Sequence, residues 1–150
     1  MKALTVQQPY ASLIAWGEKR YETRSWFTGY RGELVIHAGK TQALTRRFTK
    51  ESDAMHGVDL PPLLHFLHDA DAAHRSASVP LPFGAGLCIA RIVDCVLTNH
   101  LYGAVHGTKE EFFGDWHAGR YAWQLEIVEV FAEPIPAVGK LGLWNWENKT

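Results

Sequence analysis

Lys19, Glu22 and Arg24 place two cations and a carboxylate in one short stretch, and Trp26, Tyr30 and Arg31 follow closely. In an extended strand Glu22 and Arg24 share a face about 6 to 7 Å apart, with Lys19 just before it. An arginine can fork onto a phosphate or a base edge, and Lys19 would supply a mobile point charge. Glu22 can accept from an exocyclic amino group. Trp26 and Tyr30, beside Arg31, would form a stacking platform for an unpaired base, a contact worth about 1 to 3 kcal/mol per base. Such a constellation suits a flipped or single-stranded nucleotide. The competing reading is a structural Glu22–Arg24 ion pair with Trp26 and Tyr30 in the core. For catalysis the candidates are Lys19, Glu22, His37 and Glu111. Glu22 or Glu111 could act as a base toward water, and Lys19 could pair with His37 or Tyr21 in acid/base work.

Other chemistries find little in the chain. His65 and His68 share a helical face, with His74 further along, but no His-Glu-x-x-His or paired Cys-x-x-Cys accompanies them, so no metal site is expected. Gly84-Ala-Gly86 lacks the third glycine of a dinucleotide loop, and neither a P-loop nor a Gly-x-Ser-x-Gly is present, so no cofactor is expected. Cys88 and Cys95 read as small core residues. Seven positions apart in one strand, they would face opposite ways at about 23 Å and could not pair.

The elements that must position these residues follow from pattern. Ala3 to Val6 reads as a strand, and Pro9 opens a helix that stops at Gly17. Arg20 to Trp26 and Glu33 to His37 read as two strands expected to pair with each other. Thr41 to Met55 and Leu63 to Ser76 read as helices separated by Gly57, Pro61 and Pro62. Ser78 to Gly86 reads as a packed connection. Leu87 to Leu97 and Tyr121 to Phe131 are the clearest strands, the latter alternating Trp123, Leu125 and Ile127 with Gln124 and Glu126. The segment between them, with Glu110, Glu111, Asp115 and Trp116, is long enough to be a functional loop. Trp144 and Trp146 read as core aromatics. The expected fold is α+β, a single domain over residues 1–150, its short strands avoiding exposed edges by closing into a barrel.

Apolar residues make up 47% of the chain and charged ones 21%, which excludes a disordered or fibrous class. No apolar stretch approaches the ~20 residues of a membrane helix, and no signal-peptide h-region opens the chain, so a cytoplasmic location and no membrane partner are expected. The net charge of -1 is unevenly spread. Residues 1–50 carry nine Lys/Arg against three Glu, whereas the later thirds are acidic, so the first third would form a local anion-attracting patch.

Gly17-Glu-Lys-Arg-Tyr-Glu-Thr-Arg24 matches Gly-x-Lys-x-x-Glu-x-Arg and resembles the signature of the ASCH family. Leu4 to Ile14, Tyr30 to Ala38, Phe113-Gly-Asp-Trp116, Gly119 to Trp123 and Gly142 to Trp146 resemble further segments of bacterial and phage members, in the same order. The resemblance implies a PUA-like small β-barrel with helices at its rim and a cleft for RNA, another single-stranded nucleic acid, or a nucleoside or nucleotide. Lys19, Glu22, Arg24, Trp26, Tyr30 and Arg31 would then bind ligand. One branch similar to this family hydrolyses the acetyl amide of a modified cytidine with a Thr where this chain has Glu22, and other members resemble ribonucleases. Glu22 departs from that hydrolytic pattern, and Thr23 should point to the opposite face of the strand. The expectation is therefore a binding module, with hydrolysis of modified nucleosides or RNA as the alternative and a protein-interaction domain using the Trp-rich end as a third reading.

Overall fold

Two long antiparallel strands, β4 (Ala85–Leu97) and β5 (Tyr121–Pro136), form the spine of the molecule in a computed structural model that describes residues 1–55 and 60–147. β3 (Glu33–Ala38) pairs antiparallel with β4, and β1 (Lys2–Val6) runs parallel to β3. The short β6 (Leu143–Asn145) closes one side against β1, and β2 (Tyr21–Arg24) pairs with the start of β5, giving the order β2-β5-β4-β3-β1-β6. Three register shifts interrupt the β4–β5 ladder. Each adds local twist and bends its strand, which helps curl the sheet into a half-barrel. The architecture is α+β, with helices around a curled mixed sheet.

The concave face holds the main core, where Leu4, Ile36, Cys88, Ile92, Trp123 and Leu125 meet Ile14 of α1 (Tyr10–Ala15). The convex face carries a second cluster of Ala3, Val35, Ile89 and Trp144. Helices α2 (Ala43–Ala54) and α3 (Pro62–His74) pack through Phe48, Leu64 and Leu67. Pro62 stands in the first turn of α3, where its missing N–H costs nothing. Gly57 lies outside the described residues. No described helix is long and apolar enough to cross a membrane.

Several expectations change in detail. The two strands around residues 20–26 and 33–37 do not pair with each other: Glu22 faces Trp123 of β5, and β3 lies between β1 and β4. A hairpin would need a tight turn of about two to five residues. Instead, the segment between β2 and β3 sends Trp26 edge-on against Trp123, ring centroids 4.6 Å apart, so burial of an aromatic outcompetes hairpin closure. Cys88 and Cys95 both enter the concave core as free thiols, because the register shifts between them break strict alternation. Burial pushes the Cys88 thiol up to about 12. The first half of the 78–86 connection is exposed, while Pro82 packs and accepts a bond from Gln8. The expected loop between β4 and β5 contains two helices, α4 (Thr98–Val105) and α5 (Lys109–Phe112).

Candidate functional site

The site begins where α1 ends. Gly17 adopts φ +76°, and the amides of Glu18 and Lys19 both donate to the Leu13 carbonyl, at 2.9 and 3.1 Å. A Cβ at Gly17 would meet nothing within 4 Å, so glycine is needed there for its backbone freedom alone. This reversal turns Lys19 inward until it is 3% exposed. Its Nζ donates to the carbonyls of Tyr21 (2.5 Å) and Phe113 (2.7 Å) and lies 3.7 Å from Glu22 Oε2. The ammonium also sits 5.6 Å from the centroid of the Tyr10 ring. Burial lowers its pKa, and Glu22 and Glu110 pull it back up. With two donors committed to backbone carbonyls and the Glu22 carboxylate at ion-pair distance, Lys19 is a fixed internal strut rather than the mobile charge its sequence position suggests.

β2 presents Glu22 and Arg24 on one face, as alternation requires. Arg24 Nε donates to Glu22 Oε1 at 3.0 Å, and Arg24 Nη2 donates to the Thr5 carbonyl at 2.8 Å. Glu22 thus bridges two cations. Between them, Thr23 is clamped by the 113–115 segment: its hydroxyl accepts from the Asp115 amide at 3.0 Å. A Cβ on Gly114 would come within 3.1 Å of that hydroxyl and 3.2 Å of Trp116 Nε1, so the close approach calls for glycine. Arg120 Nη2 donates to the Thr23 carbonyl at 3.3 Å, and Arg120 Nε stands 3.4 Å from Asp115 Oδ2. Glu110 anchors the start of β2 by accepting from the Arg20 amide at 2.5 Å. Its other oxygen is buried and has no hydrogen-bond partner among the described residues, and burial raises the carboxyl's pKa.

These elements enclose a cleft of about 690 Å³. Arg24, Arg120, Gln7, Tyr10 and Thr41 line it, together with Lys19 and Glu22. That size falls in the range of small-ligand sites. Burial, then the nearby Glu22 charge, raise the Tyr10 phenol's pKa, which keeps it a hydrogen-bond donor. The cleft therefore offers two guanidiniums, a phenol, an amide and the Asp115 carboxylate around a rigid floor.

Of the residues singled out by sequence, Lys19, Glu22 and Arg24 converge here. Trp26, Tyr30 and Arg31 do not line the cleft. Trp26 and Tyr30 pack on the main core, Tyr30 donates to the Glu33 carbonyl at 2.7 Å, and Arg31 donates to the Thr28 carbonyl at 2.9 Å. His37 is 1% exposed on the convex face, its Nε2 2.9 Å from the Ala137 carbonyl and its ring edge-on to Trp144. Burial lowers its pKa. Glu111 accepts from Tyr102 and from the Gly107 amide, outside the cleft. Tyr21 turns its ring onto Trp116. His68 bonds Ser52 and His74 bonds Glu18, and among the described residues no three His, Cys, Asp or Glu side chains converge on one point. Sequence reasoning missed Gln7, Tyr10, Thr41 and Arg120. Phe113-Gly-Asp-Trp116 and Gly119-Arg120 stood out as segments, but only the clamp on Thr23 reveals why they belong to the motif strand.

A curled six-stranded half-barrel with a ligand-sized cleft between a short edge strand and the surrounding helices defines a PUA-like α+β domain. The family model for the ASCH domain matches residues 4–137, and the chain belongs to that family. A stretch of 35 residues is 57% identical to activating signal cointegrator 1 of Homo sapiens, which covers 23% of this chain and 6% of that protein. The match thus spans only a small part of the relative's length.

Proposed function

We propose that this chain is a nucleic-acid-binding module whose cleft takes one unpaired nucleotide of an RNA strand. The observation that carries the reading is the pair of guanidiniums, Arg24 and Arg120, each anchored on one edge to a backbone carbonyl and lining the same cleft. Anchoring leaves their remaining donors pre-aimed, so little side-chain entropy is lost when an anion or base edge arrives. Tyr10, Gln7 and Thr41 add further polar groups to the same lining. Family membership supports the same reading, since ASCH domains are generally associated with RNA or nucleotides.

The hydrolytic alternative draws less support. Glu22 is held by two cations, the Thr23 hydroxyl is turned into the 113–115 clamp, and His37 and Glu111 lie elsewhere. The interaction-domain reading loses its main feature, because Trp144 packs onto the convex sheet with Trp146 against it. Binding of nucleoside monophosphates and short single-stranded RNA, measured by fluorescence anisotropy and calorimetry, tests the proposal. Arg24→Ala is expected to weaken binding roughly 10- to 100-fold, the loss of one charge-assisted contact of about 1.5 to 3 kcal/mol. Unchanged affinity in that variant, or no binding by the unmodified chain, overturns it.

A further inference from the structure

α2 exposes three cations, Arg46, Arg47 and Lys50, and within the helix only Phe48 is buried. Arg46 and Lys50 are four residues apart and Arg47 and Lys50 three, so the three head groups lie together on the helix surface. Like charges at that spacing destabilise a helix. One ion pair offsets them, between Arg47 and Glu51 at 2.8 Å. Arg46 reaches only the Gln42 side chain, at 3.4 Å, and among the described residues neither Arg46 nor Lys50 has an acidic partner within ion-pair distance. The cluster therefore contributes little to folding and leaves an uncompensated positive surface.

The N-terminal end of α2 adjoins the cleft, although none of the three cations lines it. Thr41, two residues before α2, lines the cleft, and Arg47 stands near enough to Tyr10, another lining residue, for its charge to reach the phenol. At a rise of 1.5 Å per residue, Lys50 lies about 14 Å beyond Thr41 along the chain's helical path, too far for the phosphate of a nucleotide seated in the cleft. We infer that the nucleotide in the cleft is one unit of a longer single strand, whose neighbouring phosphates run along Arg46, Arg47 and Lys50. The ligand class is then an oligonucleotide rather than a free mononucleotide. This inference rests on the nucleotide reading of the cleft and adds the path of the strand outside it.

The test compares uridine monophosphate with an oligouridylate, each titrated over a range of salt concentrations, for the unmodified chain and for R46Q/R47Q/K50Q. Glutamine keeps the helix propensity of α2, and circular dichroism with a thermal melt verifies the fold. The oligouridylate is expected to bind more tightly and with a steeper salt dependence than the monophosphate. The triple variant should lower the slope of log affinity against log salt by about 2, at roughly 0.7 per lost single-strand phosphate contact, and weaken oligouridylate binding more than monophosphate binding. An unchanged slope, with monophosphate binding intact, overturns the strand path and leaves the cleft reading standing. Oligouridylate binding that responds to the triple variant but not to Arg24→Ala overturns the cleft reading and this inference with it.

Discussion

Replacing Lys19 with methionine separates a strut from a ligand contact. Methionine keeps the apolar stem and removes the ammonium that joins the Tyr21 carbonyl, the Phe113 carbonyl and Glu22. Each buried carbonyl left without a donor costs about 1 to 3 kcal/mol. Relief of the ammonium's own desolvation, which shows in its lowered pKa, offsets part of that. Breaking a buried charge pair by removing one partner costs about 3 to 5 kcal/mol, and we expect Lys19→Met to fall in that range. For a domain of this size, at about 2 to 4 °C per kcal/mol, the melting temperature should drop by roughly 6 to 20 °C. Arg24 is different: its side chain is 25% exposed, so water screens its pairing with Glu22 and its removal should cost less than that of Lys19. Urea unfolding followed by tryptophan fluorescence, with Trp26 and Trp123 in contact as reporters, reads both. A Lys19→Met protein within about 1 kcal/mol of the unmodified chain, yet impaired in binding, would refute the strut and make Lys19 a direct ligand contact.

Two further predictions concern pH. Burial holds the folded-state pKa of His37 below its ordinary value, so its contribution to stability is present above about pH 6.5 and lost as pH falls toward the folded-state value. Urea midpoints should decline across that window, and His37→Gln should flatten the decline; an identical pH profile in the variant contradicts the assignment. Glu110 has the opposite sign: its raised pKa means that stability is fully present at low pH and is lost as pH rises through the folded-state value. Glu110→Gln keeps an acceptor for the Arg20 amide without the charge. It should equal or exceed the unmodified chain in stability at pH 7 and lose any advantage at pH 4, and marked destabilisation at pH 7 would show that the carboxylate charge is required.

The sequence showed the motif strand and its immediate partners because their signals are local. Alternation put Glu22 and Arg24 on one face, Gly17 marked the end of α1, and Trp123, Leu125 and Ile127 marked β5. What it could not show depended on contacts between distant segments. Trp26 and Tyr30 looked available for stacking because nothing local reveals that Trp123 and the Glu33 carbonyl claim them. His37 lies close to the motif in sequence, yet on β3 it falls on the convex face, as the register Thr5↔His37 and the edge contact with Trp144 show. Arg120 and Asp115 enter the site only because β5 runs beside β2 and delivers the preceding segment onto Thr23.

We propose that Arg24 and Arg120 receive a nucleotide in the cleft beside Tyr10. A crystal structure of the chain with a short single-stranded RNA tests it most directly. We expect one nucleotide in contact with both guanidiniums, with Lys19 still bonded to the Tyr21 and Phe113 carbonyls. RNA bound elsewhere, for instance on the convex face around Trp144 and Trp146, with the cleft unchanged, would contradict it.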